Sequence, residues 1–127
     1  MSDVDAGIAE VFDDIPECIA LFDAVHARVA ELGPFDLRVS ATQVAFRGPR
    51  RQFAWVWRPA RWTSKRAPTA IAVSFALAAK VRDHRIVEAT RVPAERWMHH
   101  VIIERDADVD DQLSGWLEEA YAAAGGR

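Results

Sequence analysis

The chain has 127 residues, half of them hydrophobic, a formal net charge of −3 and one cysteine. That length suits one domain over residues 1–127, with its core at about 12–124 and about two-thirds of the unfolded surface buried. No apolar run approaches the roughly 18 residues that cross a bilayer, the opening Met1-Ser2-Asp3-Val4-Asp5 is acidic where a signal peptide would be basic, and a lone Cys18 excludes disulfide frameworks and multi-cysteine metal sites, so a cytoplasmic location is expected.

Residues 1–12 carry Ile8, Val11 and Phe12 in a polar setting and read as a short helical or irregular lead-in. Pro16 suits the first turn of a helix, with an aspartate upstream as its expected cap. Cys18, Leu21, Phe22, Val25, Val29 and Leu32 then recur at three- and four-residue spacings on one helical face, and Gly33-Pro34 ends the pattern. Leu37 and Val39 begin a strand, and Thr42, Val44 and Phe46 alternate with Gln43, Ala45 and Arg47 before the turn signal Gly48-Pro49. Phe53, Trp55 and Trp57 alternate with Ala54 and Val56, which predicts a hairpin partner whose three aromatics share the buried face.

A basic loop bounded by Pro59 and Pro68 leads to Thr69–Ala78. Ile71, Val73, Phe75 and Leu77 make one face of that strand bulky, and Ala70, Ala72, Ser74, Ala76 and Ala78 leave the other nearly bare. Residues 86–92 and 96–104 read as two further strands, the second with Trp97, His99, Val101 and Ile103 on one face and Met98, His100, Ile102 and Glu104 on the other. Asp108 is the expected N-cap of a last helix, with Asp110 and Asp111 in its first turn. Leu113, Trp116, Leu117, Ala120, Tyr121 and Ala124 form its stripe, and Gly125-Gly126 ends it. Gly115 inside that helix costs about 1 kcal/mol against alanine, so close packing is the expected reason for it.

The order helix, four to six strands, helix predicts an α+β fold: an antiparallel sheet with an N-terminal and a C-terminal helix packed on its bulky face. Two helices cover one face only. The other stays open unless a loop or a second copy in a homodimer closes it.

Charge is strongly segregated along the chain. Residues 1–36 hold nine acids and one base, residues 37–82 ten bases and no acid, and residues 83–127 ten acids and five bases. The acid-free stretch either neutralises the acidic ends within the molecule or meets an anionic partner. Its Arg47, Arg50, Arg51, Arg58, Arg61, Lys65 and Arg66 are interleaved with aromatics, a pattern that single-stranded nucleic-acid grooves use. Trp62 differs from the strand aromatics because it lies in the loop, where it can grip a ligand.

His99-His100 point to opposite faces of a regular strand and cannot share one metal ion, and His84, Asp83 and His26 lack ligand spacing; no metal or cofactor is expected. A histidine on the bare face would stand over Ala72, Ser74 and Ala76, where Gln43 and Arg47 would join it in a shallow pocket for a polar or anionic small molecule. Arg82-Asp83-His84-Arg85 marks a polar turn. No nucleophile elbow or glycine-rich phosphate loop is present. A non-enzymatic binding domain is therefore the first expectation, with candidate contacts at Gln43, Arg47, Arg51, Trp62, Ser74, Arg82, Arg85, His99 and His100. Nucleic-acid binding through residues 37–82 is the second, and a small hydrolase or nuclease using His99 or His100 the third.

Thr42-Gln43-Val44-Ala45-Phe46, Arg51, Phe53-Ala54-Trp55, Arg82 to Arg85, Trp97-Met98-His99-His100 and the closing Trp116 to Ala120-Tyr121 together resemble the bacterial domain of unknown function 5655, from about Phe12 to Tyr121. Similar domains stand at the ends of longer chains labelled predicted transport proteins. The resemblance implies the α+β fold and no activity. This sequence has Ala41 where the family pattern often has lysine, so any ligand contact made by that lysine would be missing.

Overall fold

A computed structural model describes residues 3–93 and 95–126. The lead-in is a full helix, α1 (Asp3–Val11), which turns Ile8 and Val11 into the core. Asp13 and Asp14 follow with φ of +53° and +57°, the left-handed region that aspartate tolerates better than most residues. They redirect the chain into α2 (Pro16–Ala30). The expected aspartate cap is not formed: Ile15 holds the N-cap position without a side-chain bond, and Pro16 starts the helix. Cys18, Leu21, Phe22, Val25 and Val29 are buried as their spacing predicts. Burial raises the Cys18 thiol pKa, and the Sγ lies against the carbonyls of Pro68 and Ala70.

Six strands follow: β1 (Asp36–Val39), β2 (Gln43–Arg47), β3 (Gln52–Trp57), β4 (Ile71–Leu77), β5 (Ile86–Val92) and β6 (Arg96–Ile103). They form one sheet in the order β1-β2-β3-β4-β6-β5, with every neighbouring pair antiparallel. The chain leaves β4, runs out to the edge as β5 and returns as β6 into the place beside β4. β4 is buried along its whole length, on both faces.

The β2–β3 hairpin contains a bulge that alters the expected facing of the aromatics. Phe46 pairs with Ala54 but Arg47 pairs with Gln52, so Phe53 is the extra residue on β3. One inserted residue shifts the parity of everything beyond it. Phe53 stays in the core, packed edge-on against Tyr121 at 5.3 Å. Ala54 and Val56 are also core residues, and Trp55 and Trp57 therefore project from the opposite face. The prediction that all three aromatics are core holds for Phe53 alone.

The helices cover the bulky face. Phe22 of α2 stacks on Phe46 at 6.0 Å, and Trp116 of α3 (Asp111–Tyr121) stacks on Phe75 at 5.4 Å. Gly33, at φ +146°, is required here, because a Cβ would stand 2.6 Å from the Tyr121 hydroxyl, which donates to the Pro34 carbonyl. Asp110, not Asp108, caps α3, its carboxylate accepting the Leu113 N–H at 3.0 Å. Asp108 serves the preceding turn instead, accepting from the N–H groups of Glu104 and Arg105. Packing does not explain Gly115, since nothing lies within 4 Å of where its Cβ would be. Among the described residues no helix is long and apolar enough to cross a membrane.

Candidate functional site

The helix-free face is shaped by the bare row of β4. Ala72, Ser74 and Ala76 are too small to fill the space above them, so larger residues of the flanking strands stand over them. Trp57 pairs with Ala72 and Trp55 with Ser74 on the β3 side. His100 pairs with Ser74 and Met98 with Ala76 on the β6 side. Gln43 enters from β2 opposite Trp57, with Thr42 just before it. A short 3-10 turn at Pro59–Arg61 brings Trp62 to the same place. Trp62 is 64% exposed, the most exposed large hydrophobic side chain among the described residues. Together these side chains surround a cavity of about 500 Å³, open to solvent and within the size range of small-molecule sites.

A hydrogen-bonded chain lies at its floor. The Trp57 indole N–H donates to Ser74 Oγ at 2.9 Å, and Ser74 Oγ lies 2.6 Å from His100 Nδ1. His100 Nε2 is 3.6 Å from the Glu88 carboxylate. Tryptophan can only donate, so Ser74 Oγ accepts the Trp57 N–H, and the direction of the short Ser74–His100 contact follows the tautomer of the imidazole. Burial lowers the His100 pKa against the opposing pull of Glu88, so the imidazole is neutral at pH 7.

His99 faces the other way. It is fully buried, stacks on Phe75 at 5.3 Å and accepts the Val81 N–H on Nε2. Burial lowers its pKa too, with the Phe75 and Trp97 carbonyls opposing. It is a core residue on the opposite face of β6 from His100. Among the described residues, no three histidine, cysteine or carboxylate side chains are grouped closely enough to hold a metal ion.

The model of a domain of unknown function, DUF5655, matches residues 8–124. The chain belongs to this family. Neither the curated proteins nor the solved structures compared with it give a match. In this DUF5655 domain, stretches far apart in sequence meet at one cavity: Thr42-Gln43, Trp55 and Met98 with His100.

Of the residues singled out from sequence, the fold brings Gln43, Trp62, Ser74 and His100 together. The others lie elsewhere. Arg47 borders a separate shallow groove with Asp36 and Pro49. Arg51 donates to the Ala123 carbonyl, in the turn that follows α3. Arg82 sits in the β4–β5 connection beside Lys80 and Asp83. Arg85 is a tie within the fold, donating to Asp110, Gln112 and the Asp108 carbonyl. Sequence reasoning missed Trp55 and Trp57 because strict alternation hid the bulge, and it passed over Met98, although it set Met98 on the face of His100, because it sought polar contacts only.

Charge segregation is partly settled inside the DUF5655 domain. Arg58 and Arg61 of the basic segment both reach Asp13, at 3.0 and 3.1 Å. Their guanidinium groups also donate to the Pro68 and Val11 carbonyls. Lys65 and Arg66, exposed in the same loop, have no ion-pair partner among the described residues.

Proposed function

We propose that this domain is a non-enzymatic small-molecule-binding domain, and that its site is the cavity on the helix-free face. The carrying observation is that Trp55, Trp57, Trp62 and Met98 wall a cavity of about 500 Å³ over Ser74. Such a mainly apolar concavity with a few convergent polar groups is the usual form of a ligand site. Trp62 supports the same reading. A loop tryptophan left 64% exposed gives up burial that would stabilise the fold by about 1.5–3 kcal/mol, a loss that covering by a ligand would recover.

The charge pattern of the sequence favours an anionic ligand, but no arginine or lysine lines the cavity. The binding reading therefore takes a ligand held chiefly by its apolar surface, with Gln43, Thr42 and the Ser74–His100 pair at the polar end. The test is a fragment screen on the full chain, followed by NMR of the indole N–H signals. Fragments should shift Trp55, Trp57 and Trp62 together, and Trp62→Ala should weaken them. Hits that leave those signals unmoved would refute the assignment.

Two other readings rest on narrower observations. The exposed Lys65 and Arg66 beside Trp62 favour nucleic-acid binding, which predicts affinity for oligonucleotides that falls steeply with salt; no anisotropy change at low ionic strength would remove it. The Ser74–His100–Glu88 chain has the residue types of a hydrolase, yet Ser74 is 3% exposed and already accepts the Trp57 N–H. β4 is also paired on both sides, so its N–H groups are committed to the sheet and cannot hold an oxyanion. A homodimer closed across this face would cover Trp62, and sedimentation of wild type against Trp62→Ala separates that case from ligand binding.

A further inference from the structure

We infer that the ligand of this cavity carries a methylated ammonium group, a quaternary cation held against the tryptophans. The inference rests on the binding reading above and names its ligand class. Three observations carry it.

The first is the chemistry of the walls. The indole N–H of Trp57 is spent on Ser74 and that of Trp55 on Gln52 Oε1, at 3.0 Å. What these rings offer a ligand is their π-surface, not a donor. Trp62 adds a third ring to the lining and Met98 a polarizable thioether. Tryptophan has the strongest cation-binding face of the aromatic side chains, and several such faces around one cavity are the arrangement that recognises quaternary ammonium.

The second is the sign of the field. No lining residue is formally charged. The basic side chains that precede Trp62 are turned away, Arg58 and Arg61 being held by Asp13. The Glu88 carboxylate stands 3.6 Å behind the His100 ring. A cation entering the cavity meets π-faces with that carboxylate behind them, while the exposed Lys65 and Arg66 of the Trp62 loop lie outside the lining.

The third is the commitment of the floor's own groups. Trp57 donates to Ser74, and Ser74 pairs with His100, so the polar groups left to a ligand are chiefly the side chains of Thr42 and Gln43. A trimethylammonium head needs no hydrogen bond, so it loses nothing there, whereas a primary ammonium would forfeit donors to water. The cavity is sized for one small molecule, so a free metabolite of this class is the occupant.

The test is calorimetric titration of the full chain at neutral pH with choline and with 3,3-dimethyl-1-butanol, its uncharged isostere. Choline should bind at least about tenfold tighter than the isostere. Trp62→Ala should weaken choline by about tenfold and Trp62→Phe restore part of the loss; the exposed Trp62 side chain makes folding of both variants safe. Glu88→Gln should weaken choline without changing the isostere. Equal affinity for the two compounds would overturn the inference. So would binding of neutral or anionic fragments at the indoles with no choline binding, and in both cases the binding reading would stand. Tighter binding of a trimethyl-lysine peptide than of choline would overturn the free-metabolite assignment. If no compound of any class shifts the indoles, both the inference and the reading beneath it fail.

Discussion

Replacing Ser74 by alanine tests the hydrogen-bonded floor of the cavity directly. The shape change is small, since Ser74 stands in a row with Ala72 and Ala76, and alanine fits that row. What is lost is one oxygen serving two partners: the Trp57 N–H at 2.9 Å and His100 Nδ1 at 2.6 Å. Both partners are partly buried, and stranding a buried polar group costs about 1–3 kcal/mol, less where water can reach it. A loss of about 2 kcal/mol is therefore expected for the pair. With about 2.1 cal/mol/K per residue, 127 residues have an unfolding entropy of roughly 270 cal/mol/K, so Tm should fall by about 7 °C. Calorimetry or circular dichroism measures it. Trp57→Phe and the double variant complete a cycle in which Ser74 and Trp57 should couple by about 1 kcal/mol. A Ser74→Ala protein within 0.5 kcal/mol of wild type, with additive Trp57→Phe, would show that the hydrogen-bonded chain contributes nothing to stability.

Gly115→Ala should stabilise the protein by about 1 kcal/mol, or about 4 °C in Tm, because α3 gains a better helix former with nothing within 4 Å of the new methyl; thermal melts check it. Asp110→Ala should cost about 1–2 kcal/mol in urea unfolding, mostly the lost cap on Leu113 N–H, since the 45% exposure of the side chain weakens its pairing with Arg85. Stability should also fall in acid in two windows. His99 and His100 have depressed pKa values from burial, so their contribution is complete above the unfolded value near 6.5 and is lost as pH falls through their folded values. Asp110, held low by the Leu113 N–H and Arg85 against its own burial, acts only below about pH 4. Urea midpoints from pH 8 to pH 3 in wild type and His100→Gln should show the upper step reduced in the variant.

The residues that form the sheet and its buried face were legible in the sequence wherever a regular period ran uninterrupted. The spacing of Cys18 to Val29 gave α2, the alternation of Ile71 to Leu77 gave the bulky face of β4, and that of Trp97 to Ile103 gave the facing of β6. Of the small residues at 72, 74 and 76, Ser74 lines the cavity. Periodicity works there because a side chain's direction depends on its own backbone, and backbone geometry is local.

Three things depended on the folded chain. The bulge at Phe53 sends Trp55 and Trp57 to the cavity, and it exists only in the pairing of β3 with β2. The fate of each arginine depended on which carboxylates or carbonyls the fold brought within reach: Asp13 for Arg58 and Arg61, Asp110 for Arg85, the turn that follows α3 for Arg51. The cavity itself joins residues from β2, β3, the loop after it, β4 and β6, whose adjacency follows from the strand order β2-β3-β4-β6. The sequence by itself determined which faces are bulky and which are bare, because alternation is written residue by residue. Only the tertiary structure decided what stands over the bare face, because strand order and register are long-range properties that no local pattern encodes.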